Sequence, residues 1–168
     1  MLKKYLSSLT KEELIEEICS LSRRFKQVHE YYQARLEPHK TEDVLAAYKE
    51  RIGREFFTRS GNPGPMRLGV ARKSVQEFAK VQANVTHLID LELFYVEEGV
   101  RFTNAFGDID EPFYLSMESM FERVLKRIKA HGMEEAFVDR VKKIANDTRE
   151  IGWGFGDQID YLYKEYFQ

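Results

Sequence analysis

One carboxylate of this 168-residue sequence lies where a carboxylate is costly. If residues 85 to 106 form a helix, Glu92 falls in the middle of an apolar face that includes Leu88 and Tyr95. Burial disfavours its charged form, so the residue must be paired, or else act as a general acid or base in a small pocket opened by Gly99. We favour the first alternative, a salt bridge or hydrogen bond to an Arg or Tyr of a neighbouring helix.

Motifs for metal binding or nucleophilic catalysis are not found in the sequence. No histidine has the Glu-x-x-His spacing of di-iron bundles, and there is no His-Glu-x-x-His. The acidic run at 108–111 lacks the glycine and distal glutamate of a calcium loop, so helix capping explains it better. Cys19 is the only cysteine, and no serine lies in a glycine elbow. We therefore expect no metal site and no cofactor.

The segment from Ile151 to Asp157 combines the only tryptophan, Trp153, with three glycines and Phe155. Glycines let backbones pass closely, so the two aromatic rings can be delivered into a packed turn. Such a turn is most often a packing plug. Tryptophan and phenylalanine also anchor protein partners, and this alternative stays open.

Arg67, Arg72 and Lys73 follow a Gly/Pro-rich stretch that lacks the Gly-Lys-Ser/Thr ending of a P-loop. They indicate either loose anion binding near a helix N-terminus or a solvated basic face. Nucleic-acid binding would use a larger basic set in the N-terminal half, with Tyr and Phe nearby to stack on bases. That set is Arg23, Arg24, Lys26, Arg51, Arg54, Arg59, Arg67, Arg72 and Lys73. The pI of about 6.1 argues against it.

Helices must position these residues, because apolar residues recur at spacings of three and four and strand signals are scarce. A capping box at Thr10 and Glu13 predicts a helix from 11 to 36 with a narrow apolar seam, after a short helix near the N-terminus. The seam consists of Leu14, Ile18, Leu21, Phe25, Val28 and Tyr32. Further helices are predicted at 42–57, 67–82, 85–106, 111–130, 134–149 and 157–167, and the helix at 85–106 should be the most buried.

The predicted fold is all-α, a single domain over residues 1–168 with a Gly/Pro loop at 60–66. We favour a bundle of about six to seven amphipathic helices over a short stack of helical hairpins. With 43% hydrophobic and 32% charged residues, the composition is that of an ordinary globular protein. No signal peptide and no membrane span is indicated, so we expect a cytoplasmic protein.

The net charge of −2 hides an asymmetry. Residues 1–82 carry an excess of Lys and Arg, whereas residues 83–122 are strongly acidic. Two segments of opposite charge can steer a partner, or they can attract each other inside the fold. We favour attraction inside the fold.

Three segments of the chain resemble a known family. They are residues 2–6 leading into 10–14, the run Phe102-Thr103-Asn104-Ala105-Phe106-Gly107-Asp108-Ile109, and the Gly-Trp-Gly-Phe-Gly turn at 151–157. The family comprises small bacterial proteins classed as a domain of unknown function. The resemblance implies a compact helical protein and supplies no activity or catalytic residues.

We favour a non-enzymatic protein-interaction or scaffold module with a protein partner, because no catalytic constellation outweighs its structural explanation. The alternative is a small-ligand-binding protein or enzyme with a site around Glu92 and the glycine-rich turn. Its candidate residues are Glu92, Thr103, Asn104, Asp108, Trp153, Phe155 and Asp157. A second alternative is nucleic-acid contact through the basic N-terminal half.

Overall fold

The computed structural model describes residues 1–36, 41–81 and 84–167, and within these ranges it is built of nine helices without strands. They are α1 (Leu2–Leu6), α2 (Lys11–Arg24), α3 (Lys26–Leu36), α4 (Thr41–Phe56), α5 (Leu68–Val81), α6 (Val85–Phe106), α7 (Glu111–Ala130), α8 (Glu134–Asp147) and α9 (Phe155–Phe167). The all-α prediction is confirmed, with more helices than the six to seven expected. In the described ranges, no helix has the length and apolar character needed to cross a membrane.

Helix α6 lies at the centre of the fold, as its composition predicts. It contacts α4 and α5, and also α7 and α8. Its polar positions Asp90, Glu97, Arg101 and Asn104 form the less buried stripe, while most of its remaining residues are buried. Helix α9 packs on α7 and α8, and α3 packs on α4 and α5. The buried apolar residues of α4 to α9 therefore belong to one cluster.

The helix predicted from 11 to 36 is divided in two, which corrects the sequence analysis. Its capping box forms, because Thr10 and Glu13 exchange backbone-to-side-chain hydrogen bonds of 2.7 and 3.2 Å. The helix then ends at Phe25, whose dihedrals are extended (φ −124°, ψ 112°). This break turns α3 onto the core, where Glu30 accepts a hydrogen bond from Tyr48, while α2 buries no residue at all. Two of the three seam residues of α2, Ile18 and Leu21, are therefore exposed, and Leu14 is half-buried.

The predicted Gly/Pro loop folds back on the end of α4. Gly64 donates a backbone hydrogen bond to the carbonyl of Phe56, and Met66 donates one to that of Glu55, both at 2.7 Å. A Cβ atom at Gly64 would lie 2.6 Å from the carbonyl oxygen of Glu55 and 2.8 Å from that of Arg54. The loop can lie this close to the helix only because residue 64 has no side chain.

We expect Gly64→Ala to lower the free energy of unfolding by about 2 kcal/mol, because rigid backbone must move to admit the methyl group. Gly69→Ala is the matched control, since a Cβ there meets nothing within 4 Å and Gly69 lies in α5. It should be neutral or stabilise by up to about 1 kcal/mol, the helix preference of alanine over glycine. Urea denaturation measures both, and equal effects of the two substitutions would contradict the close approach.

Candidate functional site

Glu92 is 1% exposed and is held by two arginines of α7. Arg127 makes a bidentate contact, in which its Nε donates to Oε2 at 2.9 Å and its Nη2 donates to Oε1 at 3.1 Å. The Nε of Arg123 lies 3.0 Å from Oε1. The structure therefore shows the favoured one of the two roles considered for Glu92, a salt bridge to a neighbouring helix.

The alternative role of Glu92 depended on a small pocket opened by Gly99, and Met117 of α7 fills that space. Sδ of Met117 lies 2.1 Å from the position that a Cβ of Gly99 would take, and Met117 itself is fully buried. The glycine thus permits close helix packing, and Met117 leaves no room for a substrate beside Gly99.

We expect Arg127→Met to destabilise the protein by about 3 kcal/mol, since removing one partner leaves Glu92 buried with a single, less well oriented arginine. Lys126→Met is the control, because the adjacent Lys126 pairs with Glu122 on the surface. Its effect should stay within about 0.5 kcal/mol. Chemical denaturation at neutral pH measures both, and similar small values for the two variants would show that the Glu92 pair contributes little.

The other carboxylates of α6 are also paired. Arg140 of α8 bridges Asp90 and Glu97, and Lys49 of α4 donates to Asp90 at 2.7 Å. Burial raises the pKa of Asp90, but the hydrogen bonds from Lys49 and Arg140 outweigh it and hold that pKa below its usual value. Much of the acidic middle segment is thus neutralised inside the fold, mainly by arginines of α7 and α8.

A groove of about 290 Å³ lies between α6 and α8, where Asn104 donates to the carbonyl of Asp147 at 3.0 Å. Glu98 also lines it, and burial raises the pKa of that carboxyl, while Arg101 lowers it and Glu97 raises it further. Each carboxylate of the groove has a cation: Glu98 pairs with Arg101, Glu97 with Arg140, and Asp147 with Lys143. The groove therefore presents balanced charge.

Tyr114 joins two of the three segments on which the family resemblance rests. Its hydroxyl lies 2.9 Å from the hydroxyl of Thr103 and donates to Asp108 at 3.3 Å. Its ring packs on that of Phe155, with centroids 5.0 Å apart. Thr103, Asp108 and Phe155 are thus brought together, but at about 16 Å along α6 from Glu92, given 1.5 Å of rise per residue. The predicted residues therefore do not form one site.

Phe155 and Trp153 have opposite roles in the glycine-rich turn. Phe155 is fully buried, whereas Trp153 is 64% exposed and has a φ of +63°, a left-handed conformation that costs a bulky residue energy. Asp157 is exposed in the first turn of α9, where its charge suits the helix dipole. Phe155 is the packing plug of the turn, and Trp153 is presented to solvent.

We expect Phe155→Ala to cost about 3 to 5 kcal/mol, because it empties a core position. Trp153→Gly should change the free energy of unfolding by no more than about 1 kcal/mol, since glycine relieves the positive φ and little buried surface is lost. Thermal and urea denaturation of the two variants compare them directly. A large loss at Trp153 would mean that this ring, too, belongs to the packing.

The three predicted anion-binding residues separate. Arg67 donates to the buried carboxylate of Glu55 through Nε at 3.0 Å and Nη2 at 2.8 Å, and its backbone N–H donates to the same group at 3.3 Å. The carboxylate of Glu55 therefore occupies the place just before α5 that an external anion would take. Arg72 instead donates to the hydroxyl of Ser116 on α7 at 2.8 Å, and Lys73 is exposed.

Residues 1–25, here called the N-terminal arm, carry the largest set of exposed apolar side chains in the described part of the chain. The set is Met1, Leu2, Tyr5, Ile15, Ile18, Leu21 and Phe25. Helix α2 packs on α3 and buries none of its residues. Among residues 1–36, 41–81 and 84–167, one apolar side of the arm thus stays uncovered.

Sequence reasoning did not name Tyr114, Ser116, Arg123 or Arg127. All four lie on α7, and the signal was their position at the borders of the predicted apolar face of that helix, where polar side chains reach neighbouring helices. Nothing in the linear pattern states which helix they reach.

The comparison with known proteins gives a family and no activity. No curated protein and no solved structure matches the chain. Residues 1–167 match the sequence model of a family of unknown function, DUF6155, which confirms the resemblance noted in the sequence. The chain therefore belongs to the DUF6155 family, a family of unknown function.

Proposed function

We propose that the protein is a non-enzymatic interaction module, a helical scaffold whose contact surface is the N-terminal arm. The carrying observation is that α2 has an apolar side that no residue of the described ranges covers. Leaving Ile18, Leu21 and Phe25 exposed to water forfeits free energy that burial in a complex would recover, at about 25 cal/mol per Å² of apolar surface.

The spacing of this apolar side fits a helix as the partner. Leu14, Ile18, Leu21 and Phe25 follow one another at intervals of four, three and four residues. This is the alternation of a coiled-coil seam, in which side chains of one helix insert between those of another. The arm should therefore bind an amphipathic helix rather than an extended strand.

The charges of α2 fit a second copy of the same helix in antiparallel orientation. Glu12, Glu13, Glu16 and Glu17 lie in its N-terminal half, while Arg23 and Arg24 end it. An antiparallel pair related by a two-fold axis near the middle of the seam places Glu17 of each copy beside Arg24 of the other, since both residues flank the seam. Such a pair is self-complementary, as a symmetric dimer requires.

Charge pairing in the rest of the fold also supports a scaffold over an enzyme. A catalytic carboxylate must be free to gain and lose a proton, yet Asp90, Glu92, Glu97 and Glu98 each hold an arginine or lysine. Each pair would have to break before its carboxylate could work as an acid or base.

Several arginines of the basic N-terminal half are similarly paired, which speaks against nucleic-acid binding. Arg51 pairs with Glu77, Arg54 with Glu50, and Arg67 with Glu55. These pairs interrupt the continuous positive surface that phosphate backbones require.

Sedimentation velocity over a range of protein concentrations tests the proposal. We expect a reversible monomer–dimer equilibrium, which Ile18→Asp weakens by at least about tenfold because a buried isoleucine contributes about 1.5 to 3 kcal/mol. Val70→Asp is the control, since Val70 is an exposed apolar residue of α5, outside the arm. It should leave the equilibrium unchanged. A monomer at all concentrations, or equal effects of both substitutions, would overturn the proposal.

Charge reversal tests the antiparallel orientation. Glu17→Arg and Arg24→Glu should each weaken the dimer, because each places like charges opposite one another. The double variant should restore it, since the two charges are then exchanged in both copies. If the double variant is as weak as the single ones, the antiparallel arrangement is wrong.

A further inference from the structure

A second surface feature, independent of the arm, lies between α5 and α7. It is a cleft of about 340 Å³, lined by Arg72 of α5 and by Ser116, Ser119 and Arg123 of α7. Leu115 and Met120 add an apolar wall, and Leu115 is half exposed. Two guanidinium groups and two hydroxyl groups thus line the same opening.

Hydrogen bonds hold the polar side of this cleft in place. The hydroxyl of Ser116 accepts from Nη1 of Arg72 at 2.8 Å and lies 2.7 Å from the hydroxyl of Tyr95. Ser116 and Tyr95 are both buried, so a flexible surface arginine is anchored to the core through them. Because these donors are already ordered, less conformational entropy is lost when a ligand binds.

The cleft has more positive charge than the fold uses. In the described ranges, Arg72 has the hydroxyl of Ser116 as its hydrogen-bond acceptor and no carboxylate in salt-bridge range. Arg123 shares the single carboxylate of Glu92 with Arg127, which already holds both of its oxygens. The N–H at Nε of Arg123 is not directed at Glu92, so this buried nitrogen makes no hydrogen bond.

The guanidinium groups of Arg72 and Arg123 both lie close enough to Tyr95, at the base of the cleft, to affect its pKa. Burial raises the pKa of its phenol, whereas the hydrogen bond to Ser116 and the charges of Arg72 and Arg123 lower it. The two cations therefore act on the same hydroxyl, from α5 and from α7. An anion at the mouth of the cleft would meet both.

We propose that this cleft binds a phosphate-type oxyanion, specifically the phosphate group of a small monoester whose organic part packs on Leu115 and Met120. Arginine forks and serine hydroxyls match the tetrahedral oxygens of phosphate, and arginine pairs with them through two parallel hydrogen bonds. Arg67, which the sequence grouped with Arg72, takes no part because Glu55 occupies it.

Titration of the full-length protein with inorganic phosphate, followed by NMR of the arginine Nε–H and backbone amide signals, tests the proposal. We expect saturable shifts at α5 and α7, with a dissociation constant on the order of 1 mM. Arg72→Gln should weaken binding about tenfold, the value of one hydrogen bond to a charged group. Lys73→Gln removes the same charge from the next residue, which does not line the cleft, and should weaken binding less than about twofold.

Phenyl phosphate provides the second arm, since its ring should contact the apolar wall and tighten binding relative to inorganic phosphate. Sodium chloride at matched ionic strength should give none of these shifts. Shifts that do not saturate, or an equal loss in Arg72→Gln and Lys73→Gln, would overturn the site, because general attraction to basic residues would then explain binding. Phenyl phosphate that binds no more tightly than inorganic phosphate would overturn the monoester assignment.

Discussion

The burial of α6 is the constraint on which the rest of the structure depends. A helix of 22 residues that is apolar around most of its circumference cannot be covered by one neighbour, so four helices contact it directly. The same helix carries Asp90, Glu92 and Glu97, and each needs a cation once the neighbours exclude water. The arginines of α7 and α8 meet this need, so packing and charge pairing select the same arrangement.

The sequence could predict this centre, because both of its requirements are local. The bounds of α6 and α7 follow from periodicity and from the loop between them, and the polar stripe of α6 follows from angles on one helix. The need of Glu92 for a partner follows from its place on the apolar face. The identity of that partner does not, because Arg123 and Arg127 lie more than thirty residues along the chain and repeat no pattern that points to α6.

The predictions that were wrong or incomplete concern contacts between distant segments. The apolar seam runs through Phe25 with unbroken spacing, so periodicity predicts one helix, although the chain turns there to place α3 on the core. Thr103, Asp108 and Phe155 were grouped by their unusual motifs, and they do meet, but through Tyr114, a residue that looks like one more apolar position of α7. Local patterns define elements, while tertiary packing decides which elements meet.

The pairing of the charged groups in the core also limits which surfaces can bind a ligand or partner. Because the carboxylates of α6 are already paired, a ligand that used them would have to compete with arginines held in good geometry, at a cost of several kcal/mol for each buried pair. Surface groups that are not paired or packed within the fold can bind without the cost of breaking an ion pair. The N-terminal arm and the cleft beside Arg72 are of this kind, since one has apolar surface and the other positive charge beyond what folding uses. Substitutions at either place therefore test the proposed binding while the packing around α6 stays intact.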